Sequence, residues 1–266
     1  MHNLKVALVQ SSIVWEDVAA NLMNFDKKLE AIAPTTDLVL LPEMFNTGFS
    51  INPLKIAEKP DGVTFVWLKE KANYLNCVVA GSVLTEEAGK YYNRLYWMRP
   101  DGTYEIYNKR HLFRLGEEFK VFTPGKERKI VELKGWKILP IVCYDLRFPV
   151  WIKNRYNNGQ YEYDLIACVS SWPAARQYAW RSLLIARAIE NQACMAGVNR
   201  VGIDGEGKPH TGYSVISDAL GSVIAQAEPD TEQIITATLN WDELQNFRKQ
   251  FTIGLDWDEF EIKIDM

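Results

Sequence analysis

Apolar positions along this chain recur with two different rhythms. Lys5–Gln10 reads as a strand, and Val18–Ile32 follows with the spacing of an amphipathic helix. Asp37–Leu41 is almost wholly apolar and stops against Pro42, as a buried strand does. A helix is expected over Val63–Leu75 and a strand over Cys77–Leu84. Tyr92–Met98 and Tyr104–Asn108 read as a strand pair joined by the turn Arg99-Pro100-Asp101-Gly102. After an irregular polar stretch, 110–126, come strands Lys129–Leu133 and Lys137–Cys143, a helical spacing over Val150–Arg155 and a strand over Leu165–Ser170. Ala179–Gln192 has Leu183, Leu184, Ala188 and Ile189 on one helical face. Strands Cys194–Asn199, Ser214–Ser217 and Ile234–Leu239 and a helix over Trp241–Phe247 complete the pattern.

Strands alternate with helices at both ends of this series and pair directly in its middle. Neither a flexible linker, nor a repeat, nor a low-complexity segment marks a boundary, so the 266 residues read as one α/β domain with mixed sheets, ending in an acidic, aromatic tail over about 248–266. With 47% hydrophobic and 24% charged residues the chain has the material for a large core. A net charge of −4 leaves no basic footprint for nucleic acid. The N-terminal MHNLKVALVQ does not read as a signal peptide and the apolar runs are too short to span a bilayer, so a cytoplasmic location without membrane association is expected. The four cysteines are far apart, which argues against a metal site or a disulfide framework.

Three stretches place reactive side chains where strands end. In LLPEMF, Glu43 follows an apolar strand, where lost solvation suits a carboxylate to act as a general base. In YNKRHLF, Lys109 follows the strand Tyr104–Asn108. In ILPIVCYDLRFP, Cys143 caps a strand and the chain then turns, as at a nucleophile elbow, with the Tyr144 amide placed to donate to an oxyanion. Cys77, Cys168 and Cys194 lie in apolar runs and read as small core residues. No serine stands in a GxSxG context, and His2, His111 and His210 show no ligand spacing.

Taken together, LLPEMFNTGF, YNKRHLF, CYDLRFP and WRSLLIARAIENQ resemble the nitrilase superfamily of carbon–nitrogen hydrolases over nearly the whole length. The resemblance implies a four-layer αββα sandwich, a homodimer and a Glu43–Lys109–Cys143 triad, with neither metal nor organic cofactor. Glu43 would take the thiol proton, and Lys109 would favour the thiolate and hold the oxyanion. Glu118, before the Pro124-Gly125 turn, would orient Lys109, with Glu117 beside it as the other candidate. CYDLRFPVW and SSWPAARQYAWRSLLIARAIENQ are most similar to the ω-amidase branch, which releases ammonia from 2-oxo dicarboxylic acid monoamides such as 2-oxoglutaramate and 2-oxosuccinamate. Such a small-molecule substrate needs a cationic anchor, for which Arg147 and Arg176 are candidates, with Trp172 as an apolar wall. Arg147 paired with Asp145 is the competing reading. An N-carbamoyl amino-acid amidohydrolase, a small aliphatic amidase and an inactive scaffold of the same fold are the alternatives. The tail is expected to pack on a partner subunit.

Overall fold

The computed structural model describes residues 2–264. Two six-stranded sheets face each other. The first has β1 (Leu4–Gln10), β2 (Leu38–Leu40), β3 (Val78–Glu87), β4 (Lys90–Met98) and β5 (Tyr104–Asn108) in sequence order. The second has β6 (Val131–Leu133) and β7 (Trp136–Val142) at one edge. Beyond a small hairpin, β8 (Tyr156–Asn157) and β9 (Gln160–Tyr161), come β10 (Leu165–Ser170) and β11 (Cys194–Asn199), parallel to β7. A second hairpin, β12 (Val201–Ile203) and β13 (Pro209–Thr211), precedes β14 (Val215–Ser217) and β15 (Val223–Gln226) at the other edge of that sheet. The last strand, β16 (Gln233–Leu239), returns to pair antiparallel with β1.

Alternation along the strands explains the layering. In the first sheet Val6, Leu8, Leu38, Leu40, Val78 and Ala80 point at the second sheet. Their neighbours Ala7, Val9, Val39 and Val79 point the other way, onto α1 (Val18–Leu29) and α3 (Val63–Leu75), through Leu22, Phe25, Trp67 and Leu68. Short α2 (Pro53–Ile56) and α4 (Pro149–Ile152) close loops, while α5 (Gln177–Asn191) and α6 (Trp241–Gln250) cover the second sheet. This is the helix–sheet–sheet–helix sandwich expected. No helix among the described residues is long and apolar enough to cross a membrane.

Several local expectations shift. The helical spacing over 150–155 yields a single turn, because Pro149 opens it and the chain then enters the β8–β9 hairpin. On α5 the buried face is Trp180, Leu184, Arg187, Ala188 and Asn191, whereas Ile189 is exposed. Buried Arg187 reaches the Leu146 carbonyl at 3.0 Å and Asn191 takes the Asn154 backbone N–H at 2.7 Å, so polar bonds set the helix rotation. Up to residue 264 the tail makes contacts with its own chain: Trp257 meets Tyr161 edge-on at 5.6 Å, and Ile262 and Ile264, partly buried, pack against the core. The tail's last two residues, Asp265 and Met266, lie outside the described residues.

Arg248 ties α6 to the second sheet. Its guanidinium is buried, 2.5 Å from Asp164 Oδ1, and also donates to the carbonyls of Tyr163 and Gln192. Arg248→Met should cost about 3–5 kcal/mol, since Asp164 would stay buried without its cation. Chemical denaturation measures this; a loss under about 0.5 kcal/mol, the size of an ordinary surface substitution, would refute it.

Candidate active site

Three chain segments that end strands converge at one end of the sandwich. Glu43 stands in the loop after β2, fully buried, and its backbone N–H reaches across to the Ser170 carbonyl of the second sheet at 3.3 Å. Lys109 follows β5, also buried, with its backbone N–H on the Asn93 carbonyl at 2.9 Å. Cys143 opens the 3₁₀ turn Cys143–Arg147 directly after β7 and is 9% exposed.

The turn is a strained elbow. Cys143 has φ 48°, a left-handed conformation that a non-glycine residue adopts only when its surroundings impose it. Asp145 supplies much of that force: Oδ2 accepts the Val142 N–H at 3.1 Å and the Tyr107 hydroxyl at 2.8 Å. Its Oδ1 takes the His111 backbone N–H at 2.9 Å and pairs with His111 Nδ1 at 2.8 Å. Asp145 is thus occupied by neutral donors and histidine, not by Arg147. Tyr144 is the second residue of the turn, so its N–H precedes any intrahelical acceptor.

Lys109 Nζ lies 2.8 Å from Glu43 Oε1 and 2.9 Å from Glu118 Oε2. Glu118 is the buried member of the Glu117–Glu118 pair and also accepts the Phe113 N–H at 2.6 Å, whereas Glu117 is exposed and bonds Lys120. Burial pushes the ammonium towards its neutral form, but Glu118 and Glu43 outweigh it and hold Lys109 above the ordinary lysine range. Burial likewise pushes Glu118 upward, against the pull of Lys109.

Burial first, then the Glu43 charge, push Cys143 well above the ordinary thiol range; Lys109 and the Ser171 backbone N–H pull back without prevailing. Both leading causes act in the direction that favours the protonated sulfur.

The pocket above Cys143 is lined by Phe49, Phe113, Tyr144, Trp172, Arg147 and Arg176 among others. The guanidinium of Arg147 lies 4.6 Å from the Trp172 ring centroid and that of Arg176 lies 4.9 Å from the Phe113 ring centroid. Among the described residues neither arginine has a carboxylate within ion-pair distance. The candidate residues Glu43, Lys109, Cys143, Tyr144, Arg147, Trp172 and Arg176 line this one pocket and Glu118 bonds Lys109 behind it, whereas His111 holds Asp145 and the carbonyl of His2 accepts from Trp136. The sequence offers no sign of Asn93 or Ser171 and assigns His210 no role in the site. Asn93 was visible only as a polar interruption inside a strand, and His210 reaches the pocket on the β12–β13 hairpin. Among the described residues no group of three or more His, Cys, Asp or Glu is placed to hold a metal ion.

The carbon-nitrogen hydrolase family model matches residues 5–249. The chain belongs to the carbon-nitrogen hydrolase family. It is 46% identical to the omega-amidase YafV of Yersinia enterocolitica, covering 98% of this chain and 99% of that one. It is 31% identical to the 2-oxoglutaramate amidase of Bacillus subtilis, over 93% and 95% of the two chains. The structure of XC1258 from Xanthomonas campestris, a CN-hydrolase superfamily protein with an arsenic adduct in its active site, superposes with a TM-score of 0.97 at 44% identity, covering 99% of this chain and all of that one. The chain is accordingly an amidase of the nitrilase superfamily and sits in its ω-amidase branch.

His210 carries a pH signature. Burial and then the charge of Arg200 hold its imidazole down to about 4, with Nε2 3.4 Å from Ser171 Oγ. The unfolded chain takes up this proton near pH 6.5, which the folded protein refuses until about 4. The stability contributed by neutral His210 is therefore complete above about pH 6.5 and is lost as pH falls towards 4, by up to roughly 3 kcal/mol. His210→Asn should flatten the fall in urea midpoint between pH 7.5 and 4.5. Parallel curves for the two proteins would exclude this role.

Proposed function

We propose that this enzyme hydrolyses the ω-amide of 2-oxo dicarboxylic acid monoamides, such as 2-oxoglutaramate and 2-oxosuccinamate, to the 2-oxo acid and ammonia. The observation that carries the reading is the pair Arg147 and Arg176, both on the wall of the pocket that holds Cys143 and, among the described residues, both without a carboxylate within ion-pair distance. Two uncompensated guanidiniums in a half-buried pocket call for an anion, and a fork-shaped donor suits a carboxylate. A substrate with an amide at one end and a carboxylate at the other satisfies both ends of the pocket. The omega-amidase and 2-oxoglutaramate amidase relatives support the same chemistry.

In this reading Glu43 takes the thiol proton as the sulfur attacks the amide carbon, so no free thiolate accumulates. The tetrahedral oxyanion is held by the Lys109 ammonium and the Tyr144 N–H. Glu43 passes its proton to the departing nitrogen, the carbon–nitrogen bond breaks and ammonia leaves. Glu43 then takes a proton from water, whose oxygen attacks the thioester, and the proton returns to the Cys143 sulfur as the acid departs. Glu118 keeps Lys109 in place, and Trp172 walls the pocket. No metal or organic cofactor enters any of these steps.

The whole length would act as one hydrolase domain in the cytoplasm, where four free cysteines suit the reducing milieu. A homodimer is part of the proposal. Tyr178 and Ile189 on α5 and Leu220, Val223 and Ile224 on the adjoining turn and strand form exposed apolar surface, and Gly221 abuts Ile185 and Ile189.

Purified enzyme should release ammonia from 2-oxoglutaramate and 2-oxosuccinamate, and Cys143→Ala should abolish release while leaving the fold intact. Turnover of N-carbamoyl amino acids instead would keep the triad chemistry and move the substrate. Light scattering should give twice the 30.5 kDa chain mass, and Ile189→Glu with Ile224→Glu should halve it. A monomeric parent would dismiss the dimer.

A further inference from the structure

Strand β4 sets Asn93 between the two buried carboxylates. The side chain is 1% exposed, and its Nδ2 lies 2.8 Å from Glu43 Oε1 and 3.3 Å from Glu118 Oε1. Turned over, the amide would press its oxygen against both carboxylates, so electrostatics fixes the donor edge inward. Among the described residues its own Oδ1 is buried with no partner, a cost accepted for that orientation. Lys109 Nζ also donates to Glu43 Oε1, which therefore carries two donors, whereas Glu43 Oε2 is buried with none among the described residues.

We propose that Asn93 is a positioning residue: by occupying Oε1 together with Lys109, it leaves Oε2 as the oxygen of Glu43 that exchanges protons with Cys143 and substrate. The inference rests on the proposed role of Glu43 as the base. Lys109 is a single positive charge facing two carboxylates, and Asn93 supplies further donors without adding charge. An aspartate of the same shape would instead add a third anion to the cluster. A donor that favours the ionised carboxylate lowers its pKa, so losing the donor raises it. The acidic limb of any reaction that needs ionised Glu43 then moves to higher pH.

The test compares Asn93→Leu and Asn93→Asp, both close in size to asparagine, in two assays. One is kcat and KM for 2-oxoglutaramate across pH. The other is the rate at which iodoacetamide alkylates Cys143 across pH, with Cys143→Ala as the blank, which needs no amide substrate. The expected result is a kcat lower by about 10- to 100-fold with KM changed far less. The acidic limb should rise in both assays, further for Asn93→Asp than for Asn93→Leu, with partial recovery in Asn93→Ser. Normal kcat with an unmoved limb in folded variants overturns the proposal. If the Leu and Asp variants do not fold, Asn93→Ser and Asn93→Thr are read in the same way, and an unmoved limb in them overturns it equally. Glu43→Gln separates the two levels. If it leaves the alkylation profile unchanged, the base assignment itself has failed. If it removes the limb while the Asn93 variants leave it in place, only the role of Asn93 has failed.

Discussion

A buried ammonium held between two buried carboxylates is the constraint to which this molecule answers. Removing each such ion from water costs several kcal/mol, and the attraction among them offsets that only in near-ideal geometry. Lys109, Glu43 and Glu118 reach it at 2.8–2.9 Å because each side chain leaves a segment fixed by other bonds. Lys109 is held by its backbone bond to β4, Glu43 by its bond to Ser170, and Glu118 by the Phe113 amide. The cluster also acts on Cys143: burial and the Glu43 charge raise its thiol, and Lys109 pulls the other way.

Backbone strain completes the arrangement. Cys143 at φ 48° and Met44 at φ 46°, the residue after Glu43, both occupy the left-handed region. Each such position costs on the order of 1–3 kcal/mol. The Ser82 hydroxyl accepts the Met44 N–H at 2.9 Å and Asp145 accepts that of Val142, so side chains from neighbouring segments hold both turns. Sharp exits from β2 and β7 are what turn two side chains from different sheets toward one pocket.

Much of this was legible in the sequence for plain reasons. Alternation in Lys5–Gln10 and Val78–Leu84 sorts side chains onto the two faces of a sheet, and strand ends marked by Pro42 and Cys143 locate the rim where chemistry gathers. What stayed hidden depends on contacts distant in sequence. The rotation of α5 answers to polar bonds from Arg187 and Asn191, so apolar spacing misjudged Ile189. Arg147 lies against Trp172 because His111, Tyr107 and Val142 already occupy Asp145, an arrangement no local pattern encodes. The direction in which the Cys143 thiol shifts is set by burial and by the charges of Glu43 and Lys109 together, and these do not belong to any single motif.

The site is also divided between the sheets: the segments after β2 and β5 of the first carry Glu43 and Lys109, and the end of β7 in the second carries Cys143. A chain in which one sheet has formed alone holds either Glu43 and Lys109 without Cys143 or Cys143 without them. Hydrolytic competence is therefore a late property of assembly, gained only when the two sheets dock.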